Sequence, residues 1–145
     1  LWGKQGSAWY RLEEYYYNSR LTGIQRTDEE HYTELEKLAD GLHISAVIVD
    51  PSAASFIEVI RRHGRFRVEK ASNAVIDGIR NVATRLQCGD IFICDCCTDC
   101  IREFGMYRWD EKALMDKPIK ENDHSMDDVR YFVHKVFAPE LFSFK

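Results

Sequence analysis

The chain has 145 residues, a length that suits one domain, and 45% of them are hydrophobic, which is enough for a core. Its net charge of −4 excludes a surface that is basic throughout, so any contact with nucleic acid has to come from a local patch. The sequence contains no run of about 18 apolar residues and no secretory signal, which argues against a membrane span. It also contains no GxxxxGK[ST] phosphate loop, so this chain binds no nucleotide by that route.

Strands and helices are predicted to alternate along the first part of the chain. Residues 7–17 alternate as a strand, and residues 27–30 form a capping box that opens a helix ending near Gly41. The apolar run at residues 46–49 is typical of a strand that is buried on both faces. Asp50 stands at the carboxyl end of that strand, where ligand sites of α/β sheets lie.

The alternation continues through the middle of the chain. A helix after the Asp50 turn is predicted to stop at Gly64, and residues 65–70 alternate as a strand. Asn73 is predicted to cap the next helix, residues 91–93 to form a strand, and Thr98 to cap a short helix. This order predicts an α/β sheet covered by helices on both faces.

The last third of the chain is predicted to form a hairpin and a long helix. Residues 107–110 and 118–120 flank a polar turn and are expected to pair as the hairpin. Asp123 is expected to cap the final helix, with Asp128 solvated on its surface. The tail over residues 139–145 carries apolar side chains that we expect to pack back on the body.

The chemistry is expected where the final helix meets the Asp50 strand end. His124, Asp127 and Tyr131 stand at i, i+3 and i+7, so they share one helix face. Two carboxylates, Asp50 and Asp127, converge from separate elements only if something offsets their repulsion, and a divalent metal does so. Oxygen ligands of this type suit Mg²⁺ or Mn²⁺, and two such ions can promote phosphodiester cleavage. His124 could assist a metal ligand or transfer a proton.

Five cysteines form a second candidate site, and they are Cys88, Cys94, Cys96, Cys97 and Cys100. Their odd number and close spacing argue against a disulfide framework. Zinc or an iron–sulfur cluster is one interpretation, although a second ligand pair at a distance is missing. Reduced thiols in an intracellular protein are the other interpretation, and the one we favour.

Four stretches of the sequence resemble a known family. They are residues 15–23 (YYYNSRLTG), 49–56 (VDPSAASF), 107–112 (YRWDEK) and 118–124 (PIKENDH), the last continued by Asp127, Arg130 and Tyr131. In this order they resemble the nuclease domain of the large terminase subunit of tailed bacteriophages, and the match extends across nearly all of residues 1–145. The resemblance implies a ribonuclease H-like fold, similar to retroviral integrases, with a mixed central sheet and a hairpin near the active site.

The resemblance also implies an activity and the residues that carry it. The family cleaves double-stranded concatemeric DNA during genome packaging, by two-metal hydrolysis with low sequence specificity and with two Mg²⁺ or Mn²⁺ ions. Asp50 matches the second acidic ligand, Asp127 the third, and His124 the histidine that precedes the third. The first acidic ligand of the family lies shortly before the position of Leu1, so we expect this chain to lack it.

Partners and location are likewise implied by the resemblance. The implied partners are double-stranded DNA, an ATPase motor domain upstream in the same polypeptide, the portal protein and the small terminase subunit. No association with a membrane is expected. The expected location is the cytoplasm of the host bacterium, in a transient packaging machine. The family's hairpin is often longer than residues 113–117 allow.

DNA contacts are expected from basic side chains that hold phosphates without reading bases. Lys112, Lys117 and Lys120 in the hairpin are the favoured set, because the hairpin leads directly into the final helix. Arg61 and Arg62 are a second set, with the alternative that they only complement the dipole at a helix end.

Three other functions remain open from the sequence. The chain could be a DNA-clamping or regulatory domain without catalysis, if the carboxylates do not converge. It could be a zinc-binding interaction module built on the cysteines. It could also be a Holliday-junction resolvase-like nuclease of the same fold, which a preference for branched DNA would reveal.

Overall fold

The computed structural model describes the backbone of residues 1–141 and the side chains of residues 1–137, so the predicted packing of the 139–145 tail lies outside the described residues. Its elements are β1 (Trp2–Gln5), β2 (Ala8–Arg11), α1 (Ser19–Thr22), α2 (Asp28–Leu38), β3 (Val47–Val49), α3 (Ala54–His63), β4 (Val68–Lys70), α4 (Val75–Gln87), β5 (Ile91–Ile93), α5 (Thr98–Met106) and α6 (His124–Leu141). The α/β class predicted from the sequence is confirmed. Within residues 1–141, no helix has both the length and the apolar composition needed to span a membrane.

The strands form two small sheets, where the sequence had predicted one central sheet. In the first, β2 pairs antiparallel with β1 and parallel with β5; in the second, β3 pairs parallel with β4. A cavity of about 580 Å³ lies between them, lined by Trp2 of β1 and by Val47 and Ile48 of β3. Because Val47 and Ile48 line this cavity, they are half-buried, and Val49 is the one buried residue of β3.

Two apolar clusters form the core. In the first cluster, Val129 and Val133 of α6 pack with Ile91 of β5, and the Phe132 ring stacks on Trp2 at a centroid distance of 4.0 Å. The second cluster joins α2, α3 and the β3–β4 sheet through residues such as Tyr32 and Ile60. The helix α6 therefore belongs to the first cluster, whereas Asp50 follows a strand of the second.

Local signals for helix ends were right in some places and wrong in others. The capping box of α2 is confirmed, with the Thr27 N–H donating to Glu30 Oε2 over 2.7 Å, and α3 ends at Gly64 in a left-handed conformation (φ 69°). Asn73 is not the cap of α4, because Ala74 holds that position and its carbonyl accepts from Arg130 Nη1 at 3.2 Å.

The predicted cap of α5 was also wrong. Thr98 is the first residue of α5, and the carboxylate of Glu14 accepts the N–H groups of Asp99 (2.7 Å) and Cys100 (3.1 Å). Glu14, from the segment after β2, therefore caps α5 in place of Thr98. That segment was predicted to continue as a strand to residue 17, but the strand ends at Arg11.

The predicted hairpin is confirmed in a short form. Trp109 and Pro118 form an antiparallel bridge, the Asp110 N–H donates to the Lys117 carbonyl at 2.7 Å, and the Ile119 N–H donates to the Arg108 carbonyl at 3.0 Å. The hairpin leads into α6, as expected.

Candidate functional site

Asp50 is held by neutral donors on both carboxylate oxygens. It directly follows β3, and the N–H of Ser52 in the next turn donates to its Oδ1 at 2.8 Å. The hydroxyl of Tyr131, from α6, donates to its Oδ2 at 2.7 Å. These hydrogen bonds, the Ser52 N–H foremost, hold the pKa of Asp50 below its usual value. The side chain is therefore an oriented carboxylate anion at neutral pH.

Asp127, by contrast, is held by cations. Arg130, one turn further along α6, donates from Nη2 to Asp127 Oδ1 at 2.6 Å, and the Nζ of Lys120 lies 3.9 Å from Oδ2. The Arg130 side chain is only 3% exposed, so its charge is buried against its partner. The negative charge of Asp127 is thereby compensated within the protein.

Tyr131 is hydrogen-bonded to Asp50 and lies within the electrostatic influence of Asp127. Burial, followed by the hydrogen bond to Asp50, raises the pKa of Tyr131 to about 12, and the negative charge of Asp127 acts in the same direction. The hydroxyl thus stays protonated and available as a donor. Asp50 and Asp127, chosen from sequence as the metal pair, both lie in the surroundings of this one side chain.

His124 is placed differently from Asp127 and Tyr131. Its ring lies 6.4 Å, centroid to centroid, from the ring of Tyr16, and it lines a second cavity of about 540 Å³ that Tyr16 and Asp128 also border. Among the described side chains, none makes a hydrogen bond or ion pair with His124. Of the three residues predicted to share a face, Asp127 acts electrostatically on Tyr131, while His124 borders the second cavity.

Two expectations for the other acids of this helix need correction. Asp123 holds the predicted N-cap position of α6, and its carbonyl accepts the Asp127 N–H at 2.8 Å. Its carboxylate, however, contacts Lys120 at 3.9 Å, and the first-turn N–H of Ser125 donates to Glu103 Oε2 at 2.6 Å. The N–H of Ser125 is therefore capped by a carboxylate from α5 and not by the side chain of Asp123. Asp128 is 54% exposed, yet it is not simply solvated, because it forms an ion pair with the buried Arg11.

The donor set fits a magnesium or manganese ion in kind but supplies only part of a site. Carboxylate oxygens are the ligands these ions prefer. Across residues 1–137, no group of three or more His, Cys, Asp or Glu side chains is arranged to hold a metal ion. Asp50 and Asp127 would therefore hold such an ion together with water, a DNA phosphate or protein groups other than the described ones.

The cysteines are free thiols. Cys97 and Cys100 are buried, and burial raises the pKa of the first to about 11 and of the second to about 12. Both are therefore neutral thiols at physiological pH, and across residues 1–137 they belong to no group of three or more side chains arranged to hold a metal ion. The Sγ of Cys97 lies 3.5 Å from the Arg11 carbonyl, within the first apolar cluster.

The lysines proposed for phosphate contact lie on the hairpin side of α6. Lys120 is 3.9 Å from both Asp123 and Asp127, so it stands beside the candidate carboxylates. Lys112 and Lys117 are exposed, and neither forms an ion pair with another described residue.

The arginine set lies elsewhere and is partly neutralised. Arg62 at the end of α3 pairs with Glu29 at 3.2 Å, while Arg61 is exposed. The arginines that follow are also paired, Arg65 with Glu36 at 3.3 Å and Arg67 with Glu69 at 2.6 Å. These pairs reduce the positive potential that a phosphate would meet there.

Comparison with known proteins relates the chain to phage large terminases, although no protein-family model matches it. The large terminase subunit of Escherichia phage T5 is 24% identical over 133 residues, which are 88% of this chain and 30% of the T5 protein. The large terminase of a thermophilic bacteriophage, solved in complex with ADP, is 46% identical over 98% of this chain and 36% of that chain, with a TM-score of 0.91. A further structure of the same thermophilic phage terminase is 46% identical over 94% of this chain and 35% of its own, with a TM-score of 0.89. This chain spans about a third of the length of these relatives.

Proposed function

We propose that this chain, which is homologous to the large terminase subunits of phages, is a DNA-cleaving domain of ribonuclease H-like fold that acts in genome packaging. The observation that carries the proposal is where β3 and α6 meet: Asp50 accepts a hydrogen bond from Tyr131, and the charge of Asp127 acts on the same tyrosine. The reaction is metal-dependent hydrolysis of double-stranded concatemeric DNA with low sequence specificity.

Asp50 and Asp127 would hold Mg²⁺ or Mn²⁺, which when bound activates water and stabilises the leaving oxygen of the phosphodiester. The low pKa of Asp50 keeps it anionic for this task, and Tyr131 fixes the direction of its Oδ2. Arg130 holds Asp127 through a hydrogen bond from its Nη2. His124 stands at the start of the same helix and is proposed to hold or move a proton of the attacking water.

The hairpin lysines, Lys112, Lys117 and Lys120, are proposed to bind DNA phosphates, with Arg61 and Arg62 as a second contact. Phosphate contacts position a duplex without reading its sequence, which suits a nuclease of low specificity. Because the chain is net acidic, its own DNA affinity should be weak and strongly salt-dependent. An ATPase motor in the same polypeptide, the portal and the small terminase subunit are the proposed partners, and they would raise the local DNA concentration.

Two other functions compete with this proposal. A nucleotide-hydrolysing segment is one, because the thermophilic phage relative was solved with ADP; the missing GxxxxGK[ST] loop in all 145 residues argues against it. A DNA clamp without catalysis is the other, and the compensated charge of Asp127 favours it.

Cleavage of supercoiled plasmid tests the proposal. The gene product that contains this chain would be incubated with Mn²⁺, Mg²⁺ or chelator, as wild type and as Asp50→Asn and Asp127→Asn. We expect metal-dependent nicking and linearisation that falls in both variants to the level with chelator. The matched control is Asp77→Asn, an exposed acid on α4, which should cleave like the wild type.

The remaining outcomes separate the alternatives. Cleavage that survives both substitutions would show that the active site lies elsewhere. A folded protein that binds DNA but does not cleave it with either metal would favour the clamp.

A further inference from the structure

A fully buried carboxylate stands between α5 and α6 without being part of the candidate metal site. Glu103 of α5 is 0% exposed. Its Oε1 accepts from the hydroxyl of Tyr16 and its Oε2 from the backbone N–H of Ser125, each at 2.6 Å. Arg102 is the nearby cation, with Nη2 at 4.0 Å from Oε1. Burying a carboxylate is costly unless its oxygens are satisfied, and both oxygens are satisfied here.

The hydrogen bond from the Ser125 N–H shows that Glu103 caps the start of α6. The first N–H groups of a helix have no acceptor within the helix, and an anion near them is also favoured by the helix dipole. Ser125 is the second residue of α6, and its N–H finds its acceptor in Glu103. The same first turn carries His124 and Asp127. Glu103 therefore determines where this turn lies relative to α5.

The carboxylate itself is oriented from the segment that follows β2. Tyr16 lies in that segment, and its hydroxyl occupies the oxygen of Glu103 that Ser125 leaves free. Glu14, two residues earlier, caps α5 through the N–H groups of Asp99 and Cys100. Arg11, at the end of β2, pairs with Asp128 of α6. Residues 11–16 thus contact the first turns of both α5 and α6, directly or through Glu103.

We infer that Glu103 is a positioning residue for the α6 turn that carries Asp127 and His124, and that it acts by capping this turn and touches neither metal nor DNA. The inference rests on the proposed function for its effect on metal, whereas the cap itself is independent of it. Since each oxygen of Glu103 accepts a hydrogen bond from the protein and the side chain is 0% exposed, neither a metal ion nor DNA reaches it.

Two substitutions of similar size separate capping from chemistry. In Glu103→Gln, the amide oxygen accepts from Ser125 and the amide NH₂ donates to the Tyr16 oxygen, so both contacts persist. In Glu103→Leu, the buried Ser125 N–H is left without an acceptor, and the half-buried Tyr16 hydroxyl loses its bond to Oε1. The measurements are Mn²⁺ affinity by calorimetry and hydrogen exchange of the Ser125 and Met126 amides, made on the gene product that contains this chain.

We expect Glu103→Leu to weaken Mn²⁺ binding by about 10- to 100-fold, as loss of a supporting contact does at other metal sites, and to speed exchange in the first turn of α6. Glu103→Gln should stay within a few-fold of the wild type in both measurements. Wild-type affinity and exchange in Glu103→Leu would overturn the inference. So would a Glu103→Gln variant that loses metal binding with an intact first turn, because the carboxylate would then act chemically.

Two further arms keep the test decisive. If Glu103→Leu does not fold, Glu103→Asp keeps the charge but shortens the side chain by one methylene, so that it no longer reaches both Ser125 and Tyr16. Unchanged exchange and affinity in that variant would overturn the inference. If the wild type neither binds Mn²⁺ nor cleaves DNA, the proposed function fails. Hydrogen exchange at Ser125 then still decides whether Glu103 holds the turn.

Discussion

Two regions of the molecule hold their polar groups in opposite ways. In the junction, formed by Asp50, Glu103, Asp127, Arg130 and Tyr131, three of the five side chains are buried. Apart from the Asp127–Arg130 pair, the hydrogen bonds of these five side chains that join separate elements link residues distant in sequence. Tyr131 and Asp50, for example, are 81 residues apart. On the outer face, formed by α2 and α3, the polar contacts are exposed. The Thr27 capping box there spans three residues, and Glu29 pairs with Arg62 and His63 in solvent.

The difference teaches where single substitutions should matter. A buried polar group that loses its partner keeps its full desolvation penalty, whereas an exposed ion pair contributes little. The candidate carboxylates depend on the first kind of contact. We therefore expect loss of stability and loss of site geometry to occur together in the junction, and the outer face to tolerate change.

The largest effect is expected from Gly78→Ala in α4. A Cβ at this position would lie 2.5 Å from Cγ and Cδ of Arg130, so the arginine that holds Asp127 would have to move. Such overpacking costs about 1–3 kcal/mol in free energy of unfolding. The control is Gly105→Ala in α5, where nothing lies within 4 Å and the helix should gain about 0.5–1 kcal/mol. Urea unfolding of both variants measures the contrast, and equal stabilisation by the two would refute the tight contact at Arg130.

A smaller and pH-dependent effect is expected from Tyr131→Phe. The hydroxyl of Tyr131 helps to lower the pKa of Asp50, so its removal should raise that pKa. A carboxylate with a lowered pKa stabilises the fold above its unfolded pKa of about 3.9 and loses this contribution as pH falls through the folded pKa. We expect a cost of about 1.5 kcal/mol at pH 7, typical of a hydrogen bond to a charged group, and a smaller cost at pH 3.

NMR titration of the Asp50 carboxyl carbon and unfolding at the two pH values test this prediction. Tyr107→Phe is the control, because Tyr107 is half-buried yet its hydroxyl donates to none of the described residues. An unchanged Asp50 pKa in Tyr131→Phe would mean that the hydroxyl does not hold the carboxylate in solution.

The smallest effect is expected on the outer face. Thr27→Ala removes the side-chain acceptor of the α2 capping box and should cost about 1 kcal/mol. Glu29→Gln weakens the exposed pairs with Arg62 and His63 and should cost about 0.5 kcal/mol or less. Thermal unfolding ranks the two, and a larger loss from Glu29→Gln would contradict the view that these exposed pairs are weak.

The predictions made from sequence divide along the same line. The α2 capping box, the stop of α3 at Gly64 and the short strand before Asp50 were predicted correctly, because each signal lies within a few residues. The caps assigned to Asn73 and Thr98 were wrong. Asp123 does hold the N-cap position of α6, but its side chain does not cap the helix. At α5 and α6 the competing acceptors, Glu14 and Glu103, come from elsewhere in the chain, and local propensity carries no record of them.

The candidate site shows the same division. Asp50 and Asp127 were selected from a strand end and a helix turn, and both lie around Tyr131, while their roles as metal ligands stay a prediction. The parts played by Arg130 and Glu103 were not predicted. An arginine and a glutamate on helices look like solvated charges in sequence, and only the packing of α4, α5 and α6 buries them.

The sequence by itself determined the α/β class, the order of most elements and the choice of acidic residues, because these depend on periodicity and on signals between near neighbours. The tertiary structure decided that the strands form two sheets and that Arg130, which pairs with Asp127, is buried. It also decided that Glu103 caps the first turn of α6. Those outcomes depend on which buried polar groups find partners, and burial is set only when separate segments pack against one another.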